Sequence, residues 1–175
     1  MSFALPFGKP QDVVTVRIAE TQTFSPPDAN VLSHLADNVY SNSSCWVSYG
    51  SLVYFPMGIE STSPDFPHRV VASGSYREHE WISTHLRSAK YFIWKRIDES
   101  SFKGPEGGWL DMTVDMATMF PLLEMSAGRH CAVKHSMYVY NFANPINDFR
   151  VSEARQLELE EHIRTRKRYR PLLWW

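Results

Sequence analysis

The chain has 175 residues, 43% of them apolar and 14% aromatic, which suits one domain with a sizeable core. Its formal net charge of −1 gives bulk electrostatics no reason to attract nucleic acid. No apolar run approaches the roughly 20 residues that cross a bilayer, and the opening MSFALPFGKP has no basic start leading into an apolar run, so no secretory signal is expected. The expectation is a soluble or peripheral chain, intracellular, or inside an organelle if a presequence has been removed.

Residues 1–11, with Pro6, Gly8 and Pro10, are predicted to form an irregular arm. Val13 to Ile18 is β-branched and reads as a strand; its continuous apolar character points to a largely parallel sheet. After Pro26 and Pro27, Asp28 or Asn30 can cap a helix to about Tyr40, with Val31, Leu32, Leu35 and Val39 on one face. Cys45 to Phe55 is a second strand with a bend expected at Gly50. Pro56, Pro64 and Pro67 mark a surface loop, and Val70–Val71 a short extended piece. Ile82, Leu86, Ala89, Ile93 and Ile97 recur at helical spacing, which predicts a helix over 82–97. A Gly-rich loop follows at 100–108.

Trp109 to Ala127 is apolar on nearly every side, yet carries Asp111, Asp115 and Glu124. An unpaired buried carboxylate is costly, so each needs a partner or a task. From Asp115 onward the spacing is helical, with Pro121 expected to kink it. Asp115 has two readings: a helix N-cap, or a general base held at a helix start. Nine residues is two and a half turns, so Glu124 and Asp115 face opposite ways. Ala132–Tyr140 reads as a strand, NFANPIND as a polar turn, and Ser152 to about Lys167 as a helix whose early acids and late bases suit its dipole.

Cys45 and Cys131 lie far apart in apolar runs and read as reduced core residues, with a single buried bridge left open. The histidines lack metal-ligand spacing: His130 and His135 fall on opposite faces of a strand, and His79 and His85 are six apart. Neither a phosphate-binding glycine loop nor a G-x-S-x-G elbow is present. The basic run at 164–170 fits a solvated helix end or an anionic contact. Trp174 and Trp175 need something to pack against, which favours the domain itself or a partner protein over a membrane interface.

Three runs carry a resemblance: STHLRSAKYFIWKRID at 83–98, WLDMTVDMATMFPLLEMSAGRH at 109–130, and YVYNFANPINDFR at 138–150. Together they look like the C-terminal half of a GT-A fold, family 2-like glycosyltransferase. Such enzymes run in the same order through an S-H-L-R stretch, a D-x-A-x-M-F-P-L-L-E-M helix and a Y-x-Y-N-x-x-N-P-x-N-D turn, and the similarity spans about residues 12–172. It implies an α/β fold: a truncated GT-A-like mixed sheet with packed helices over residues 12–170, an arm at 1–11, and a docking tail at 171–175. It implies that Asp115 matches the base that deprotonates the acceptor hydroxyl, in apolar surroundings that raise its pKa. His85, Arg87, Asn141, Asn144, Asn147 and Asp148 match residues around donor phosphates and acceptor.

The chain departs from the pattern where such enzymes carry a nucleotide-binding half and an acidic D-x-D motif that holds the divalent cation. The strand at 13–18 leads into Ala19-Glu20-Thr21-Gln22-Thr23-Phe24, where only Glu20 is acidic. The expectation is therefore a non-catalytic, glycosyltransferase-like accessory subunit of a larger protein assembly, docking through its arm and Trp174–Trp175, with no cofactor. The alternatives are an active hexosyl transferase completed by another chain, with Mn²⁺ or Mg²⁺ and a nucleotide sugar, or a glycan-binding module.

Overall fold

The computed structural model of the chain describes residues 3–4, 13–15, 30–41 and 44–173. These contain β1 (Phe3–Ala4), β2 (Val13–Thr15), α1 (Val31–His34, widening into a π-helical turn over Leu35–Tyr40), β3 (Val47–Phe55), β4 (Ile59–Ser61), α2 (His68–Ser73), β5 (Ser88–Lys90), α3 (Tyr91–Trp94), α4 (Val114–Ser126), β6 (His130–Asn141), α5 (Asp148–Val151) and α6 (Glu153–Thr165). Short 3₁₀ turns lie at Tyr76–Glu78 and Glu99–Phe102. Trp174, Trp175 and residues 19–24 lie outside the described residues. No helix among the described residues is long and apolar enough to cross a membrane.

The chain is mixed α/β, built on a mixed sheet of order β1-β2-β5-β3-β4, with β6 on the far side of β3. β3 is the spine. β6 pairs with it in parallel along its whole length. On the other edge β5 takes Val47 and Ser48, and β4 takes Leu52 to Tyr54, both antiparallel. The largely parallel sheet expected from Val13–Ile18 is corrected: β2 pairs antiparallel with β1 and β5, and only the long β3–β6 ladder is parallel. A short apolar run fits either environment equally well, because burial on both faces, not strand direction, is what makes it apolar.

The bend expected at Gly50 is present as register shifts between Gly50, Ser51 and Leu52. Gly50 is needed for close approach. A Cβ there would sit 3.0 Å from the Leu86 amide nitrogen and 3.2 Å from the His85 carbonyl oxygen. The chain at 84–86 crosses β3 here, with the Gly50 amide donating to the Thr84 carbonyl at 3.2 Å. The Thr84 and Ser63 hydroxyls both donate to the Gly50 carbonyl at 2.5 Å.

This crossing corrects the helix predicted over 82–97. Residues 79–87 carry no helix, 88–90 form β5, and only Tyr91–Trp94 is helical. The apolar residues are buried as expected: Ile82, Leu86, Ala89 and Ile93 are all core. But Ser83, Arg87 and Ser88 between them are equally buried, so no exposed polar face runs along 82–90. The Ser88 hydroxyl serves the sheet rather than a helix: Ser88 Oγ lies 2.6 Å from Ser48 Oγ and 2.7 Å from Tyr40 OH. Such side chains compete with helical hydrogen bonding. Val70–Val71, predicted extended, instead sits in α2, which ends at Gly74 in the left-handed conformation (φ 64°).

Helix α4 is buried from Met116 to Ser126 without interruption and runs through Pro121. It packs beneath Val47 and Tyr49 of β3, with Phe92, Ile93, Leu159 and Ile163 completing that core. A second cluster forms on α1: Val31, Leu35, Val39 and Tyr40 meet Leu52, Val133 and Met137. β3 is thus covered on both faces. Glu124 finds its partner in Arg77, with Nε donating at 2.5 Å and Nη2 at 3.0 Å; the Tyr169 amide adds a third hydrogen bond at 2.9 Å. The basic run at the end of α6 and beyond it braces loops: Arg164 donates to the Arg77 and His79 carbonyls, and Arg168 pairs with Glu78.

The cysteines are also corrected. Cys45 and Cys131, 86 residues apart, come within 6.0 Å between Cα atoms and are paired as a disulfide. The parallel pairing of β3 with β6 brings them together, a contact that their spacing in the chain does not reveal.

Candidate functional site

Asp115 stands in the first turn of α4. It is not the N-cap, because Thr113 occupies that position, in the left-handed conformation (φ 57°) and without a side-chain cap bond. Asp115 Oδ1 accepts from the Met116 amide at 2.8 Å, where the helix dipole favours a negative charge. Its Oδ2 takes an ion pair from Arg87 Nη2 at 2.9 Å.

Arg87 is 3% exposed and held on every side. Nε donates to the Ser83 carbonyl at 2.6 Å, Nη1 meets His85 Nε2 at 2.9 Å, and the guanidinium lies 5.5 Å from the Trp81 ring centroid. A guanidinium only donates, so His85 Nε2 accepts and the neutral ring carries its proton on Nδ1. Burial first, and the Arg87 charge second, hold His85 well below its ordinary pKa. The ring is therefore neutral near pH 7. It stacks on Tyr138 at 4.5 Å with 17° between planes.

Asp148 opens α5 and faces the same cleft. Burial, then the Asp115 charge, raise its pKa above the usual carboxylate value, against a hydrogen bond from the Thr113 backbone. His85, Arg87, Asp115 and Asp148 all line one cleft of about 300 Å³, at the small end of ligand pockets. Asn141, Asn144 and Asn147 are not among its lining residues. They build the turn that presents Asp148: Asn147 Nδ2 donates to the Asn141 carbonyl at 3.1 Å, and Asn144 Oδ1 accepts from the Ile146 amide at 3.2 Å.

Sequence reasoning missed the aromatic wall. Tyr54, Tyr140, Phe142 and Phe149 line the same cleft as the charged residues. Tyr54 packs edge-on to Tyr140 at 5.7 Å and Phe142 at 6.0 Å, and Phe149 stacks on Phe142 at 5.4 Å. The signal was present: Tyr138, Tyr140 and Phe142 alternate, which puts them on one side of an extended chain. Gln156 and Glu160 of α6 close the rim.

The cleft offers a fixed carboxylate, a guanidinium, a second carboxylate with raised pKa, and flat apolar rings. Such a set accepts and donates hydrogen bonds to hydroxyl groups while stacking on a ring face. Among the described residues, no group of three or more His, Cys, Asp or Glu side chains is placed to hold a metal ion. No family model, curated protein or solved structure matches the chain.

Proposed function

We propose that this chain is a glycosyltransferase-like accessory domain whose cleft binds a carbohydrate. The Arg87–Asp115 pair sharing one cleft with four aromatic rings carries this reading. A sugar presents equatorial hydroxyls to paired charged groups and an apolar ring face to aromatics. Charged partners make the stronger hydrogen bonds, and a fixed pair loses little entropy on binding. Sequence resemblance at 83–98, 109–130 and 138–150 supports the same reading, because the three runs supply His85, Arg87, Asp115, Tyr140 and Asp148 to one cleft.

A second reading, an active transferase, is favoured by one observation. Asp115 is ion-paired while Asp148, in the same cleft, has a raised pKa, and carboxylates set apart in this way divide acid and base roles. In that reading Asp115 accepts the proton of the attacking sugar hydroxyl.

Calorimetric titration with a panel of soluble oligosaccharides tests the first reading, with Asp115→Asn and Tyr140→Ala each expected to weaken binding about tenfold or more. No saturable binding across the panel refutes it. A thermal-shift panel of nucleotide sugars with and without Mn²⁺ separates the two: a metal-dependent shift with one nucleotide establishes the transferase reading, since ligands stabilise the state they bind.

A further inference from the structure

A larger cavity, of about 510 Å³, shares no lining residue with the Asp115 cleft. Its apolar floor is Ala117 and Pro121 of α4 with Ile163 of α6, and its rim is basic. Most of the cations there are spoken for: Arg77 by Glu124, Arg168 by Glu78, and Lys103 loosely by Glu99 at 3.6 Å.

Arg166 is different. Nη1 donates to the Ser100 carbonyl at 2.5 Å, Nη2 to the Lys103 carbonyl, and Nε to His162 Nε2 at 3.2 Å. Among the described residues, none of its partners is a carboxylate, and one Nη1 hydrogen remains. Burial, then the nearby Arg77 charge, make its cationic form less favourable than usual. Lys167 on the same rim also has no acidic partner among the described residues. The single lining carboxylate, Asp98, accepts from the Ser100 amide at 2.8 Å through Oδ1 and keeps its charge, so the cavity holds one acid against its several cations. Ser101 adds a hydroxyl, 2.8 Å from the Tyr169 hydroxyl.

We infer that this cavity is a binding site for a phosphate or sulfate ester, its oxyanion held by Arg166, Lys167 and Ser101 and its organic part resting on Ala117, Pro121 and Ile163. A half-buried guanidinium held by carbonyls is oriented but not neutralised, and its planar fork matches a tetrahedral oxyanion. The volume exceeds what a bare anion fills and falls within the range of small-molecule pockets.

The test is calorimetric titration of the full chain with phenyl phosphate, phenyl sulfate and inorganic phosphate, each against sodium chloride at matched ionic strength. Phenyl phosphate or phenyl sulfate binds saturably, and more tightly than inorganic phosphate. Lys167→Glu, an exposed change, weakens it about tenfold or more, and Arg166→Lys, which keeps the charge and removes the fork, also weakens it. Arg69→Glu, the same change of sign class at a residue lining neither cavity, leaves it unchanged. Sedimentation with phosphatidylcholine vesicles containing phosphatidic acid assigns the source: co-sedimentation lost in Lys167→Glu points to a lipid headgroup, and its absence to a soluble ester. No saturable binding beyond the chloride control, or wild-type affinity in Lys167→Glu, overturns the inference.

Discussion

Replacing Glu124 by Gln removes one charge from the most deeply buried ion pair among the described residues. Its carboxylate accepts from Arg77 Nε and Nη2 and from the Tyr169 amide, and the two side chains are 3% and 2% exposed, so water screens nothing. Gln keeps the shape but presents an NH₂ to at least one of those donors, and it leaves the guanidinium without a counter-charge. Breaking one side of such a pair costs about 3–5 kcal/mol, a large share of the roughly 5–15 kcal/mol that holds a domain folded. With a urea m-value of about 2 kcal/mol per M, the unfolding midpoint falls by about 2 M at unchanged slope. Arg77→Met with Glu124→Leu removes both charges. It recovers part of the loss, less about 1 kcal/mol each for the Ile163 carbonyl that Arg77 Nη1 no longer serves and the Tyr169 amide that Glu124 no longer accepts from. A single-variant cost below about 1 kcal/mol, or a double variant less stable than the single, refutes the reasoning.

Gly50→Ala pushes a methyl against the 85–86 backbone; the expected loss is about 1–3 kcal/mol, and the displaced His85 weakens any ligand of the Asp115 cleft, measurable by denaturation and titration on one sample. Asp148 has a raised folded pKa, so its contribution to stability is full below the unfolded value of 3.8 and is lost as pH rises through the folded value. Asp148→Asn therefore melts higher than wild type near neutral pH, and the gap closes in acid; a gap independent of pH refutes this. The Cys45–Cys131 bridge closes a loop of 86 residues, and in the chain-entropy account its reduction costs about 4–5 kcal/mol. Non-reducing intact mass lower by two hydrogens checks the bridge, and denaturation with and without reductant checks the cost.

The elements legible in the sequence were those where local pattern and tertiary demand coincide. Val31, Leu35 and Val39 at helical spacing are the buried face of α1, and the mostly apolar 116–126 is the uniformly buried part of α4. The failure at 82–97 has a definite cause. Helical periodicity assumes that the residues between the apolar positions face water, and Ser83, Arg87 and Ser88 do not. The disulfide and the direction of β2 were invisible because both depend on which strand lies beside which. At the cleft, the motif resemblance named His85, Arg87, Asp115 and Asp148, which the fold brings together. The aromatic wall was missed because single aromatics read as core until a strand assigns them a common side.

The parallel ladder has a consequence for the order of synthesis. Val47 pairs with His130 and Phe55 with Asn141, so each residue of β3 waits for a partner made roughly 80 residues later. At about 5–20 residues per second on the ribosome, that delay is several seconds. For that interval β3 is an unfinished edge, with free backbone groups that any neighbouring strand can copy. Pairings of such long range also close slowly. The nascent chain is therefore most exposed to aggregation between the emergence of β3 and that of β6, and a chaperone that shields short apolar strands is needed most in that window.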